Sequence, residues 1–188
     1  MSPLEEEPPT QQASARGSGT ADDGPRRIAL ALGANVGDPR RQLLAAIAGL
    51  SRRLGALAVA PLFRSAAVSA IPQPDFLNTV VVARTTLPAR ELLALGRRLE
   101  REAGRVAGPR HGPRPLDVDL LCRGDSVVDE PDLVVPHPRL RQRGFVLAPL
   151  AAVAPDLRLP PDGRTAAELL AALPGDPTLR RVSWTGDV

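Results

Sequence analysis

Asp117 and Asp119 stand two residues apart in the apolar run Leu116-Asp-Val-Asp-Leu120. Leu116, Val118 and Leu120 alternate with them, the period of a β-strand, so both carboxylates project from one face. Like charges side by side on a sheet repel, and the neutral form of one is favoured unless a cation sits between them. A site of oxygen ligands with few protein donors suits Mg²⁺, which keeps waters and takes further ligands from substrate phosphates. Arg110 and Arg114, just upstream, are forks suited to hold such phosphates. The plainer reading of the stretch alone is a solvated strand face with ordinary surface charges.

Three further clusters carry chemistry-bearing side chains. Arg97, Arg98, Glu100, Arg101 and Arg105 lead into the loop Val106-Ala-Gly-Pro109, between an arginine-rich helix end and the aspartate strand. Such a loop can close over a nucleotide; an exposed helix laced with ion pairs is the competing reading. Pro136-His-Pro-Arg-Leu-Arg-Gln-Arg143 sets one histidine among three arginines, a phosphate or leaving-group contact if it is not merely exposed. Phe76 lies beside Asp75 and Asn78, and Phe145 beside Arg143 and Gly144. Taken singly, each aromatic reads as core.

Composition narrows the chemistry. At 188 residues the chain is one domain with a full core. All 24 basic residues are arginine. Without lysine there is no Walker-type phosphate loop, no Schiff base and no kinase-type strand lysine, so a polyphosphate site here is built from guanidinium groups. One cysteine, Cys122, excludes an internal disulfide, and zinc lacks ligands. No apolar run approaches a membrane span and no signal-peptide core opens the chain, so a soluble cytoplasmic protein is expected. The net charge of +3 raises the question of nucleic acid. Three phenylalanines, one tryptophan and no tyrosine offer few stacking platforms, and arginines alternate with acids, so no nucleic-acid partner is expected.

The elements that must position these residues follow from pattern and punctuation. Residues 1–25 are rich in Pro, Gly, Ser, Thr and acids and read as a disordered tail. Arg27–Leu32 is a strand, and Asp38 and Pro39 are the N-cap and first residue of a helix with Leu43, Leu44, Ile47, Leu50 and Leu54 inward, ended by Gly55. Residues 56–66 read as a second strand and Phe76–Thr86 as a third. Pro88 opens a second helix to Ala103 with Leu92, Leu95 and Leu99 inward, and the aspartate strand is fourth. The order β-α-β-β-α-β predicts an α+β, ferredoxin-like sandwich, two helices covering one face of an antiparallel sheet. Ser126–Val128 and Phe145–Leu150 are further short segments. Thr165-Ala-Ala-Glu168 is a capping box opening a last helix to Leu173. The catalytic domain is expected over 26–173, with 174–188 an extension held by Trp184.

Taken together, these clusters resemble the 6-hydroxymethyl-7,8-dihydropterin pyrophosphokinase family. The resemblance runs from about Ile28 to Asp156 and rests on Leu32-Gly-Ala-Asn-Val-Gly-Asp38, Gln73-Pro-Asp-Phe-Leu-Asn78, Glu100-Arg-Glu-Ala-Gly-Arg105, Arg110-His-Gly-Pro-Arg-Pro-Leu-Asp-Val-Asp119 and Pro136-His-Pro-Arg-Leu-Arg-Gln-Arg-Gly-Phe-Val-Leu147. The last two are the most specific. The resemblance implies transfer of pyrophosphate from ATP, the co-substrate, to 6-hydroxymethyl-7,8-dihydropterin, with release of AMP. It implies that Asp117 and Asp119 hold two Mg²⁺ ions and form, with Arg105 and Arg114, the catalytic set. Phe76 and Phe145 would sandwich the pterin, with Asn78 at its edge and backbone contacts from Ser65, Ala66 and Val68. Arg97, Glu100, Arg110, His111, Arg114, His137 and Arg143 map onto ATP-binding positions. Nothing demands more than a monomer.

The chain departs from the family pattern at His111, commonly tryptophan, at Ala107, often basic, and at Asp132, an arginine in some members. Ala34 and Ala66 replace serine and proline, and the loop before His111 looks one residue short. These changes gather around the ATP loop. Two other readings stay open: another Mg²⁺-dependent nucleotide transferase on the same fold with a different acceptor, and a non-catalytic binding module, for example for RNA. The Asp75-Phe-Leu-Asn78 segment counts against the first, and same-face carboxylates, which repel a polyanion, count against the second.

Overall fold

The computed structural model describes residues 24–106 and 112–185. The amino-terminal tail, apart from its last residues, lies outside the described residues, as do Ala107, Arg110 and His111. The first strand, β1 (Arg26–Ala34), is followed by α1 (Pro39–Leu54), β2 (Ala58–Val59), β3 (Leu62–Ser65), β4 (Phe76–Thr85), α2 (Ala89–Glu102) and β5 (Asp117–Arg123). This is the expected β-α-β-β-α-β order, with the second strand in two pieces. Pro61 separates them, because proline donates nothing to a ladder. The flanking Ala60 N–H instead reaches the Val80 carbonyl at 2.8 Å.

The antiparallel sheet runs β3-β4-β1-β5, with β2 also on β4. Ile28, Leu30 and Leu32 of β1 alternate with Ala29 and Ala31, so the strand feeds two cores at once. The first lies under α1 and α2 and takes Leu43, Leu50, Leu92, Leu95 and Leu99. Replacing a buried leucine such as Leu43 or Leu50 by alanine costs about 2–5 kcal/mol. The α1 stripe is narrower than its leucines suggest: Leu44 is 52% exposed and Ala46 and Gly49 take its place inward.

Helix starts follow their punctuation. The Asp38 side chain accepts from the Arg41 N–H at 3.1 Å, with Pro39 in the first turn. Gly55 caps the end of α1 at φ +81°, a conformation glycine adopts without strain. Gly96 of α2 serves another purpose. A Cβ there would come 3.1 Å from Val118 Cγ1 and 3.2 Å from the Val118 carbonyl, so its absence lets α2 lie close on β5.

The other sheet face is also covered, which the two-helix expectation did not include. After the hairpin β6 (Val128–Glu130) and β7 (Leu133–Val135) and a 3₁₀ turn at Leu140–Gln142 comes α3 (Gly144–Val153). A second hairpin, β8 (Arg158–Leu159) and β9 (Arg164–Thr165), leads into α4 (Ala166–Ala171). The predicted capping box between Thr165 and Glu168 forms in both directions. Val146, Leu147, Leu150 and Leu169 pack on Ala29, Val80, Val82 and Leu121. Helix α3 is apolar all round, so it carries no amphipathic stripe by which to be read. The last strand, β10 (Arg180–Val182), pairs with β3, and Trp184 packs partly buried against the first core.

Candidate active site

Register sets the site. Across the sheet, Phe63 on β3 pairs with Asn78 on β4, Asn78 with Gly33 on β1, and Gly33 with Asp117 on β5. Asp119 pairs with Ala31. Phe76, Asn78, Asp117 and Asp119 therefore share the face that α3 covers further along. Beyond Asp119 a β-bulge resets the strand: Leu30 pairs with Leu120 and Ala29 with Cys122, leaving Leu121 as the extra residue. Leu121 and Cys122 consequently both enter the second core, where burial pushes the Cys122 thiol up to about 12 and leaves it inert.

On the β5 side the charges are shared among few atoms. Asp117 accepts from Arg105 Nη1 at 2.6 Å and from Arg114 Nη1 at 2.8 Å. Arg105 also contacts Glu100, whose Oε1 accepts the Val118 N–H at 2.9 Å. The close approach at Gly96 brings Glu100 there. Burial raises the Glu100 carboxyl above its ordinary range, against the opposing Val118 N–H and Arg105. Asp119 is less well served. Among the described residues, Arg143 Nη1 stands 3.6 Å from it and the His137 imidazole Nε2 3.7 Å. Burial, then the charge of Asp117, raises its carboxyl. His137 Nδ1 accepts from the Arg139 N–H at 3.2 Å, which leaves Nε2 to carry the proton toward Asp119. Burial lowers the His137 imidazole, with Asp119 opposing, and burial also lowers Arg143.

The other half is aromatic and neutral. Asn78 is buried and its Nδ2 donates to Ser65 Oγ at 3.0 Å. A Cβ at Gly33 would stand 3.1 Å from Asn78 Oδ1 and 3.7 Å from the Phe76 ring, so glycine keeps the sheet surface bare between the amide and Asp117. Phe145, second residue of α3, has the Arg143 guanidinium 5.4 Å from its ring centroid. Val68 is 77% exposed, and the Ala66 N–H donates to Thr178 Oγ1 at 3.2 Å. Arg97 is exposed on α2, near enough to Asp132 to help lower that carboxyl, which Arg90 mainly holds down. Arg110 and His111 fall outside the described residues, so no position is assigned to them.

Two contributions escape sequence reasoning. Asn35, quoted only within a motif, bridges the loop before Phe76 to Arg114. Thr178 and Leu179 reach Ala66 and the flank of Gly144 from the carboxy-terminal segment. Both act through contacts distant in sequence, which no local pattern announces.

Among the described residues no cluster of three or more His, Cys, Asp or Glu side chains could by itself hold a metal ion. The pair Asp117 and Asp119, two carboxylates on one strand face with Arg143 no closer to Asp119 than 3.6 Å, nonetheless fits Mg²⁺, which needs only one or two carboxylates beside phosphate and water ligands. A cavity of about 380 Å³ lined by Asp38, Arg41, Gln42, Leu99, Glu102 and Leu116 lies on the α1–α2 side and includes neither aspartate of the pair.

The chain has clear relatives among known proteins. A family model described as 7,8-dihydro-6-hydroxymethylpterin-pyrophosphokinase (HPPK) matches residues 29–155. The 2-amino-4-hydroxy-6-hydroxymethyldihydropteridine pyrophosphokinase of Pseudomonas aeruginosa is 45% identical over 151 residues, covering 79% of this chain and 93% of that protein. The Bacillus subtilis protein of the same name is 38% identical over 126 residues, covering 66% of this chain and 75% of its own. A Plasmodium falciparum HPPK-DHPS crystal structure superposes with a TM-score of 0.61 at 13% identity, over 80% of this chain. This chain spans only 42% of that longer one, and the likeness speaks to fold alone. No described helix is long and apolar enough to cross a membrane. The chain belongs to the 7,8-dihydro-6-hydroxymethylpterin-pyrophosphokinase family.

Proposed function

We propose that this protein transfers pyrophosphate from ATP to the hydroxymethyl group of 6-hydroxymethyl-7,8-dihydropterin, releasing AMP, as a step in folate synthesis. We read it as a cytoplasmic monomer with these two substrates. Family membership supports the reaction. The observation that carries the site is the cross-sheet row in which a bare Gly33 separates the Asn78 amide from the Asp117 carboxylate.

That row suits the acceptor's shape. A pterin is apolar on its faces and polar on its rim, so it fits rings on its faces and a hydrogen-bonding amide at its edge. Phe76 and Phe145 would take the faces and Asn78, oriented by Ser65, the edge. Its hydroxymethyl group would then point across Gly33 toward the β5 carboxylates. There the hydroxyl oxygen attacks the β-phosphorus of ATP, the bond from that phosphorus to the α–β bridging oxygen breaks, and AMP leaves with the bridging oxygen.

Such a transfer depends on in-line positioning and charge neutralisation. Asp117 and Asp119 would hold Mg²⁺, with two ions expected; when bound, the metal neutralises phosphate charge and acidifies the attacking hydroxyl. Arg114 and Arg105 already converge on Asp117 and would turn toward phosphate oxygens once that carboxylate binds a cation. Arg143 and His137 flank Asp119 and would contact the same polyphosphate. Glu100, which also holds the Val118 backbone, and exposed Arg97 would take the nucleoside end, joined by Arg110 and His111.

The test is AMP release from ATP and Mg²⁺ with and without the dihydropterin. AMP formed only with the pterin is the expected result. ADP as product, or AMP formed with no need of pterin, would overturn the assignment.

A further inference from the structure

We propose that Asn35 is a positioning residue that sets the spacing between the pterin-facing and phosphate-facing halves of the site. The inference rests on the functional reading above. Asn35 follows the last residue of β1, is only 3% exposed, and spends its side chain on two other segments. Its Nδ2 donates to Gln73 Oε1 at 2.9 Å and to the Pro74 carbonyl at 3.0 Å. Its Oδ1 accepts the Arg114 N–H at 2.8 Å, while its own N–H donates to the Arg114 carbonyl at 3.1 Å. The last two bonds fasten Asn35 and Arg114 together as in a short ladder.

What hangs on these partners decides the role. Pro74 lies two residues before Phe76. Arg114 lies three residues before Asp117 and reaches its carboxylate. One buried amide therefore fixes the entry to the Phe76 strand against the backbone that presents Arg114. Only an amide of this length offers a donor to one segment and an acceptor to the other. Aspartate keeps the acceptor and loses the donor; alanine loses both and leaves buried polar groups unpartnered.

The two variants separate positioning from general stability. Asn35→Asp and Asn35→Ala would be compared with the natural chain by fluorescence titration of 6-hydroxymethylpterin, calorimetric titration of a non-hydrolysable ATP analogue with Mg²⁺, and AMP release. For Asn35→Asp, the pterin Kd should weaken about tenfold, with the nucleotide Kd within about twofold and kcat within about threefold. For Asn35→Ala, kcat should fall at least about tenfold further, because the Arg114 N–H loses its acceptor too and only the backbone bond to the Arg114 carbonyl remains. If the alanine variant fails to fold, the aspartate variant decides. An unchanged pterin Kd in folded Asn35→Asp would overturn the proposal, as would equal weakening of both ligands in both variants. A natural chain that binds no pterin would instead overturn the functional reading beneath it.

Discussion

Acid–arginine pairs occur in two settings in this molecule, and they behave in opposite ways. At the surface, Asp162 receives both Nη atoms of Arg141 at 2.7 and 2.9 Å, and Asp132 receives Arg90 at 3.0 Å. There the partner dominates: Arg141 brings the Asp162 carboxyl down to about 2, and Arg90 lowers Asp132. In the site, Asp119 has Arg143 and His137 near it, yet burial and Asp117 leave it raised, and Glu100 is raised although Arg105 touches it. The same residue types thus form completed pairs outside, whereas inside, where Asp117 takes two close arginines, burial leaves Asp119 and Glu100 raised despite theirs. A carboxylate left short of positive charge is where a cation gains most. On the proposed function, the arginines that now pair with Asp117 would turn to phosphates once a cation takes that acid over.

The largest test of this contrast removes a site carboxylate. Asp117→Ala is expected to lower AMP release by a factor on the order of 10³ or more while circular dichroism and melting stay close to those of the natural chain. The carboxylate faces the site, whereas Leu116, Val118 and Leu120 carry the core. Retained turnover would remove the metal assignment. Next, Phe145→Ala should weaken pterin binding roughly tenfold to a hundredfold, the worth of about 1–3 kcal/mol of ring stacking. Nucleotide affinity, titrated in parallel, should barely move; equal losses would indicate damage to the second core.

A smaller effect is expected where the site meets its scaffold. Gly96→Ala forces a Cβ against Val118 and should cost about 1–3 kcal/mol in chemical denaturation, with a several-fold loss of activity as Glu100 leaves the Val118 N–H. The smallest concerns the completed pair. Asp162 is depressed in the folded protein, so its contribution is present above the ordinary carboxylate range and is lost as pH falls toward about 2. Arg141→Ala should leave turnover unchanged and reduce stability modestly above about pH 4. The difference should narrow toward pH 2, leaving what Arg141 contributes through the Leu159 and Pro160 carbonyls, as acid-titrated melts would show.

The β5 carboxylates and the four strands of the ferredoxin-like frame were legible because strict alternation and capping residues are local signals. Asp38, Pro39, Gly55 and the Thr165–Glu168 box act within a turn of themselves. What resisted reading lacked such signals. Helix α3 is apolar on every side, Pro61 divides a strand whose apolar run continues past it while its inward face switches from one core to the other, and β10 is a three-residue edge strand carrying two arginines. Asn35 is the clearest case at the site. Its identity was plain within its motif, but its partners lie 38, 39 and 79 positions away, and only folding brings them to one amide. Arg114 as a phosphate fork and the arginine-rich end of α2 were legible as charge clusters, but nothing in their spacing indicates that Arg105 and Arg114 converge on Asp117 while Glu100 holds Arg105 and the Val118 N–H.

In the proposed function Asp117 and Asp119 together hold the cation that accompanies the nucleotide, and that role can be measured directly. The experiment is calorimetric titration of α,β-methylene ATP into the natural chain and into the Asp119→Asn variant, each with Mg²⁺ and again with EDTA. Binding to the natural chain should weaken by about a hundredfold on chelation, and the Asp119→Asn substitution should abolish most of that difference. Equal affinity with and without Mg²⁺ in the natural chain, or an undiminished metal effect in the variant, would contradict that role.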